Sequence, residues 1–111
     1  MKGTVKIGSK EVGMVANAAS PYIYKQVFQE DFLTKLQQKT PDVDTFQKMA
    51  FVMAKQDETS DMSVLMKLTE KDFWSWLLQF ESMEVIYATD AIANLYLAQT
   101  QTTSVPKSEG E

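Results

Sequence analysis

The chain begins with short runs in which polar and apolar residues alternate. Val5 and Ile7 alternate with Thr4 and Lys6, and a second alternating run follows the Gly8-Ser9 pair. A period of two residues places the apolar side chains of a strand on one face, and Gly-Ser favours a tight turn between two strands. The pattern predicts a β-hairpin over residues 1–17.

Beyond the hairpin, apolar residues recur with the spacing of a helix. A first helix is predicted to start at Ser20-Pro21, because serine can accept from first-turn amides and proline lacks an N–H that would be unpaired there. Its apolar stripe consists of Tyr24, Val27 and Phe28. Asp31 continues this stripe and has two interpretations, a surface pair with Lys35 or a buried hydrogen bond.

A second helix is predicted after Thr40-Pro41, which repeats the same start signal. Its stripe consists of Phe46, Met49, Ala50 and Met53. Phe51 and Val52 project from other sides, so this helix is either central in the domain or partly exposed to a partner.

The third helix has the widest apolar arc. The segment from Met62 to Leu68 fits either a short helical turn or an extended link, and Thr69-Glu70-Lys71-Asp72 resembles a capping box. The stripe that follows consists of Phe73, Trp76, Leu77 and Phe80. Trp74 and Leu78 lie about 100° or more around the helix from the start of this stripe. They either complete the core or contact a partner.

A last helical segment leads towards the end of the chain. Its seam consists of Val85, Thr89, Ile92 and Tyr96. The periodicity fades at Gln99, and residues 100–111 are too polar to bury enough area to order themselves. We therefore expect a mainly helical domain over residues 1–99, a small bundle of about four helices with the N-terminal hairpin packed on it. Residues 100–111 are expected to form a disordered polar tail.

Methionine is frequent, with seven in the chain. Met49 and Met53 belong to the second stripe and are expected in the core. Met62, Met66 and Met83 lie near predicted helix ends, where a flexible thioether either fills a gap or adapts to an apolar partner. The candidate partner-binding residues are Phe51, Met62, Met66, Trp74 and Leu78.

Several residue types that catalysis commonly uses are missing. The 111 residues include no His, no Cys and no Arg, and all 11 basic residues are lysines. The chain therefore lacks an imidazole base, a thiolate nucleophile and a Cys/His metal site. Its acidic runs, Asp42/Asp44 and Asp57/Glu58/Asp61, lack the spacing of a calcium loop and are expected to cap helices and solvate a loop. We predict neither enzymatic activity nor a bound metal or cofactor.

The net charge of the chain is −4 at pH 7. A binder of bare nucleic acid needs a basic face to displace counterions, and this composition argues against one. No apolar run approaches the length of a membrane span, and no signal-peptide pattern is present. The expected class is a soluble intracellular protein that binds other protein.

The order of these features resembles the tail assembly chaperones of long-tailed, siphovirus-type phages and prophages of Gram-positive bacteria. The resemblance covers roughly residues 10–97 and rests on the hairpin, the Ala-Ala-Ser-Pro helix start, the polar tail and three motifs. The motifs are Tyr24-x-x-x-Phe28-x-x-Asp31, Ala50-Phe51-Val52-Met53-Ala54-Lys55 and Phe73-x-x-Trp76-Leu77-x-x-Phe80.

This resemblance implies a non-structural assembly factor. Such proteins bind the aggregation-prone tape measure protein in the cytoplasm of the bacterial host, keep it soluble while the tail tube polymerises, and are absent from the mature virion. The tape measure protein is then the expected partner, the tail tube protein a second one, and a homo-oligomer stays open. The alternative is a small structural connector or regulatory adaptor, which would keep a large, fixed interface instead of releasing a client.

Overall fold

The computed structural model of the chain describes residues 2–38, 43–81 and 83–104. This part of the chain forms an antiparallel pair of strands followed by helices. The strands are β1 (Lys2–Ile7) and β2 (Lys10–Val15). The helices are α1 (Ser20–Phe28), α2 (Phe32–Leu36), α3 (Val43–Glu58), α4 (Met62–Leu65), α5 (Glu70–Leu77), α6 (Glu84–Tyr87) and α7 (Thr89–Ser104).

The two strands form the predicted hairpin. Ile7 lies opposite Lys10, which leaves Gly8 and Ser9 as a two-residue loop. Gly8 has a φ of 63° whereas Ser9 has no positive φ, as in a type II′ turn with glycine at its first central position. The alternation also holds, because Val5 and Ile7 are buried while the residues between and beside them are exposed.

The predicted mainly helical fold is confirmed. Four helices of the described chain, α1, α3, α5 and α7, span eight residues or more. They correspond to the four predicted segments. The other three, α2, α4 and α6, are single turns of four or five residues. One of them resolves an ambiguity, since the segment beginning at Met62 is a short helical turn.

The start of α1 differs from the prediction in the role of Ser20. The N-cap residue is Ala19, and Ser20 is already helical and fully buried. Its hydroxyl accepts from the backbone N–H of Asn17 at 3.0 Å and donates to Oε1 of Gln56 at 2.6 Å. Nε2 of Gln56 in turn donates to Oδ1 of Asn17 at 2.9 Å. Ser20 therefore ties the connection between β2 and α1 to the end of α3.

The end of α1 settles the role of Asp31. The helix stops at Phe28, and Gln29 follows in the left-handed conformation with a φ of 58°. Asp31 is exposed and caps α2, where its carboxylate accepts from the backbone N–H of Leu33 at 3.2 Å and from the hydroxyl of Thr34 at 2.8 Å. The interpretation of Asp31 as the site of a buried hydrogen bond is thus wrong, because the chain turns before Asp31 can continue the stripe of α1.

Helix α3 is the centre of the domain. It contacts β2, α1, α5, α6 and α7. The residues from Met49 to Met53 are all fully buried. The start signal Thr40-Pro41 lies outside the described residues, and the described helix begins at Val43.

The central position of α3 corrects the assignment of Phe51 as a partner-binding residue. Its ring lies 5.6 Å from that of Phe73 and 6.0 Å from that of Trp76, between ring centroids. Elements on several sides of α3 bury every face of its middle turns, so Phe51 belongs to the core of the folded chain.

The last seam is divided between two helices. Val85 of α6 and Ile92 and Tyr96 of α7 are buried, as the spacing predicts, although the chain breaks its helix at Ala88. Helix α7 then continues to Ser104, past the predicted boundary at residue 99. Apolar periodicity marks the buried face of a helix, whereas backbone hydrogen bonds decide where the helix ends, so the periodicity that fades at Gln99 does not mark the end of α7. The end of the packed domain at residue 99 stays a prediction. Residues 105–111 of the predicted tail lie outside the described residues.

None of the helices that the structure describes is both long enough and apolar enough to cross a lipid bilayer.

Candidate partner-binding surface

Helix α5 begins with the predicted capping arrangement. The backbone N–H of Thr69 donates to the carboxylate of Asp72 at 2.9 Å, which satisfies a donor at the start of the helix. From this start, Phe73 and Trp76 are directed into the core and are buried. Their burial fixes the rotation of α5 about its axis and thereby decides which residues face solvent.

Two large apolar side chains occupy the outward face of α5. Trp74 is 56% exposed and Leu78, at the C-cap of the helix, is 85% exposed. Residues four positions apart lie on the same side of a helix, so the two side chains are neighbours. The ring of Trp74 has its centroid 5.3 Å from that of Phe73, which places it at the margin of the core. The sequence allows Trp74 and Leu78 either to complete the core or to contact a partner. Their exposure shows that they do not complete the core.

Helix α4 adds further apolar surface. Asp61 caps this turn by accepting from the backbone N–H of Ser63 at 2.9 Å and from its hydroxyl at 2.7 Å. These hydrogen bonds, with the hydroxyl first, hold the pKa of the Asp61 carboxyl below its usual value. Leu65 anchors the turn in the core. The exposed apolar residues around it are Met62, Val64 and Met66.

Met66 meets the exposed face of α1. With Tyr22, Lys25 and two glutamines of the α1 region it lines a shallow groove of about 290 Å³. Tyr22 and Lys25 also line a second groove, of about 480 Å³, that reaches Leu33. Of the predicted partner-binding residues, the structure therefore places Met66 beside an exposed aromatic residue that the set did not include.

Helices α1 and α5 meet at one aromatic contact. The rings of Phe28 and Phe73 are nearly perpendicular, at 88°, with their centroids 5.0 Å apart. Nζ of Lys48 lies 5.2 Å from the centroid of Phe28 on another side. Aromatic pairs prefer edge contacts of this kind, so the Phe28–Phe73 contact stabilises the position of α5 relative to the end of α1.

A polar cluster attaches α1 to α3 beside these rings. The hydroxyl of Tyr24 donates to Oε1 of Glu30 at 3.0 Å, and Nζ of Lys48 lies 3.3 Å from Oε2 of Glu30 and 3.4 Å from Oδ2 of Asp44. Burial, followed by the hydrogen bond to Glu30 and its charge, raises the pKa of Tyr24 well above the usual value. The hydroxyl of Tyr24 therefore stays protonated, and the cluster stabilises the packing of α1 on α3.

Other exposed apolar residues lie outside the predicted partner-binding set. They are Tyr22, Leu33, Val64, Met83, Ile86, Tyr87 and Leu97. A signal existed for Tyr22, because it lies two residues before Tyr24 and therefore about 200° around the helix from the buried stripe. No comparable signal existed for Tyr87, which is 79% exposed, since its exposure depends on where α6 breaks from α7.

Residues of the acidic runs cap helices and form ion pairs. Asp57 pairs with Lys2 at 3.0 Å and Glu58 with Lys55 at 3.4 Å. Asp42 lies outside the described residues. Within the described parts of the chain, no group of three or more acidic side chains is arranged to hold a metal ion.

No protein-family model, no curated protein and no solved structure matches this chain. Proposals about its function therefore rest on its sequence and on its own geometry.

Proposed function

We propose that the protein is a tail assembly chaperone of a long-tailed phage, which binds the tape measure protein and keeps it soluble while the tail tube polymerises. The observation that carries this proposal is the exposure of Trp74 and Leu78 on one face of α5. Adjacent large apolar side chains in water favour contact with an apolar segment of a partner. The sequence motifs that resemble the chaperone family supply the identity of that partner.

A helical client segment suits this surface. An amphipathic helix binds by laying its apolar stripe on apolar side chains of its partner. Met62 and Met66, both exposed, offer flexible thioethers that adapt to stripes of different shape. The net charge of −4 helps to keep a complex with an apolar client in solution.

The size of the contact fits reversible capture. Burying two large apolar side chains contributes about 3–6 kcal/mol, which is no more than association costs (about 4–15 kcal/mol), so capture also needs neighbouring contacts such as the exposed methionines and stays weak. A permanent connector needs a larger and more continuous interface. An assembly factor that leaves the finished particle needs the weaker kind of contact.

The test is co-expression of the tape measure protein with variants of α5. Trp74→Ala, Leu78→Ala and the double variant should remain folded, with losses of stability below about 1 kcal/mol, because both side chains are largely exposed. The amount of soluble client should fall for each variant and most for the double variant. Circular dichroism reports the fold, and the soluble fraction of the client reports capture.

The matched control is Tyr87→Ala, which removes an exposed aromatic residue from α6 instead of α5. This variant should keep the client soluble. A double α5 variant that is folded and fully active would contradict binding by Trp74 and Leu78. A complex that stays in assembled tails would favour the connector.

A further inference from the structure

Two grooves flank an exposed ridge on helix α1. The ridge consists of Tyr22 and Lys25, which lie about one turn apart on the helix and are both exposed. These two residues line a groove of about 290 Å³ that Met66 completes, and also a groove of about 480 Å³ that reaches Leu33. The ridge therefore separates two depressions of the surface.

Each groove offers apolar surface to a partner. Met66 is exposed in the first groove and Leu33 is exposed in the second. The ring of Tyr22 belongs to both grooves, and Pro21 and Ala18 add to the second. Concave apolar surface favours contact with an apolar side chain that leaves water. Each groove can thus accept one apolar side chain.

The ridge between the grooves carries two donors that lack acceptors. In the parts of the chain that the structure describes, neither the hydroxyl of Tyr22 nor Nζ of Lys25 has a hydrogen-bond or ion-pair partner. A tyrosine hydroxyl donates one hydrogen bond and a lysine ammonium up to three. A carboxylate accepts from both kinds of donor, and hydrogen bonds to an ionised group are the stronger kind. The ridge is therefore suited to a carboxylate.

The other polar side chains that line the grooves favour the same charge. Nε2 of Gln29 already donates to the carbonyl of Gln26 at 2.8 Å. The carboxylate of Asp31 is held by α2, where it accepts from the N–H of Leu33 and the hydroxyl of Thr34. Among the described residues that line the first groove, Lys25 alone is charged. An acidic partner thus gains an ion pair that a basic partner cannot form.

The backbone around the grooves favours a helical partner. None of the residues that line them belongs to β1 or β2, so an extended segment would find no strand edge for its own backbone groups. A helix satisfies these groups internally. Its side chains i and i+7 lie about 10 Å apart along the axis, and residue i+3 lies between them on the same face. Such a spacing lets two side chains pass on either side of one tyrosine.

We propose that the Tyr22–Lys25 ridge binds a helical segment of a partner protein in which an acidic residue lies between two apolar ones, at positions i, i+3 and i+7. The carboxylate accepts from Tyr22 and Lys25, and the apolar side chains enter the two grooves. Trp74 and Leu78 line neither groove, whereas Met66 is shared with the proposed client surface. The test variants leave Met66 unchanged, so either proposal can fail without the other.

The test uses the full-length chain and defined peptides of about 16 residues. Because isolated helices of this length are marginal in water, a hydrocarbon staple on the opposite face holds them helical. A peptide with leucine, glutamate and leucine at i, i+3 and i+7 should bind and shift the amide resonances of Tyr22, Lys25 and Leu33 most strongly. The peptide with lysine in place of glutamate should bind at least about fivefold more weakly, because an ion pair is replaced by a repulsion.

A matched pair of charge reversals tests the ridge. Lys25→Glu should weaken binding of the glutamate peptide and strengthen binding of the lysine peptide, so that the preference of the chain is reversed. Lys71→Glu makes the same change of net charge at an exposed lysine of α5 that lines neither groove, and should keep the original preference. Circular dichroism shows that each variant is folded.

A second pair tests the aromatic part of the ridge. Tyr22→Ala should weaken binding of the glutamate peptide about fivefold, because it removes a donor and an apolar wall of both grooves. Tyr87→Ala removes another exposed aromatic side chain, on α6, and should bind the peptide as the unmodified chain does. The double variant of Trp74 and Leu78 should also bind it normally, which separates this surface from the proposed client surface.

Several results would overturn the proposal. They include an absence of binding by the glutamate peptide, equal affinity of the two peptides for the unmodified chain, and an equal loss of binding in Lys25→Glu and Lys71→Glu. Loss of binding in the double variant of α5 would assign the peptide to that surface instead. A dimer in sedimentation experiments that Lys25→Glu abolishes would show that the occupant of the ridge is a second copy of the chain.

Discussion

At the scale of single residues, burial separates side chains that the sequence presents as equivalent. Phe51 and Trp74 are both large aromatic residues that lie off the main stripe of their helix. Phe51 is fully buried because elements surround α3, whereas Trp74 is exposed because α5 lies at the surface. The same deviation from a stripe thus has opposite meanings in a central helix and in a peripheral one.

This distinction predicts opposite effects of truncation. Phe51→Ala should lower the free energy of unfolding by about 3–5 kcal/mol, because it removes a buried ring and leaves a cavity beside Phe73 and Trp76. Tyr22→Ala, at a site that is 69% exposed, is the control and should change it by less than about 1 kcal/mol. Urea unfolding followed by circular dichroism measures the stability of both variants. A small effect of Phe51→Ala would contradict the burial of Phe51 and favour its assignment as a partner-binding residue.

At the scale of elements, polar side chains decide how neighbouring segments are joined. Asp31, Asp61 and Asp72 each accept a backbone N–H at the start of a helix. The buried hydrogen bonds among Asn17, Ser20 and Gln56 join the end of the hairpin to α1 and α3. These hydrogen bonds fix how neighbouring segments are joined and act together with the apolar packing.

Removal of the Ser20 hydroxyl tests this junction. Ser20→Ala leaves the N–H of Asn17 and Oε1 of Gln56 without that partner in a buried site, and should cost about 1–3 kcal/mol of stability. Ser75→Ala removes an exposed hydroxyl from α5 and should stay within about 0.5 kcal/mol. Equal unfolding midpoints for the two variants would show that water replaces the lost hydrogen bonds and that the junction contributes little.

At the scale of the whole molecule, packing around α3 places ionisable groups in the interior. Tyr24 and Tyr96 are both buried, and burial is the first cause of the raised pKa of each hydroxyl. Glu30 raises the pKa of Tyr24 further, through its hydrogen bond and its negative charge. The folded chain therefore resists deprotonation at these positions more strongly than the unfolded chain does.

The raised pKa of Tyr24 predicts a loss of stability in alkali. Its contribution is fully present below the unfolded value of 10.0 and is lost as the pH rises above it towards the folded value. The free energy of unfolding of Tyr24→Phe should therefore fall less steeply above pH 10 than that of the unmodified chain. Below pH 9 the variant should be less stable by about 1–3 kcal/mol, because the bond to Glu30 is lost.

Unfolding in urea across this pH range provides the measurement. Tyr96→Phe should also flatten the alkaline slope, since burial raises the pKa of Tyr96 as well. If Tyr24→Phe kept the slope of the unmodified chain, Tyr24 would not be the group that titrates on alkaline unfolding.

The local pattern of the sequence was sufficient for the hairpin and for the faces of the longer helices. Alternation around Gly8-Ser9 predicts the strands and their turn, because side-chain direction in a strand depends only on position parity. Helical spacing likewise predicts the burial of Met49, Phe73 and Ile92, which the structure confirms. These features follow from backbone geometry and require no knowledge of which elements are neighbours.

The tertiary structure alone decided which departures from these patterns are buried and which are exposed. Phe51 is part of the core and Leu78 is in solvent, because the number of elements packed around a helix depends on contacts between residues distant in the chain. The same contacts assign Ser20 to a buried junction, while the turn after Phe28 assigns Asp31 to a helix cap. Sequence periodicity describes one helix at a time, whereas exposure, and with it the candidate binding surface, is a property of all the packed elements together.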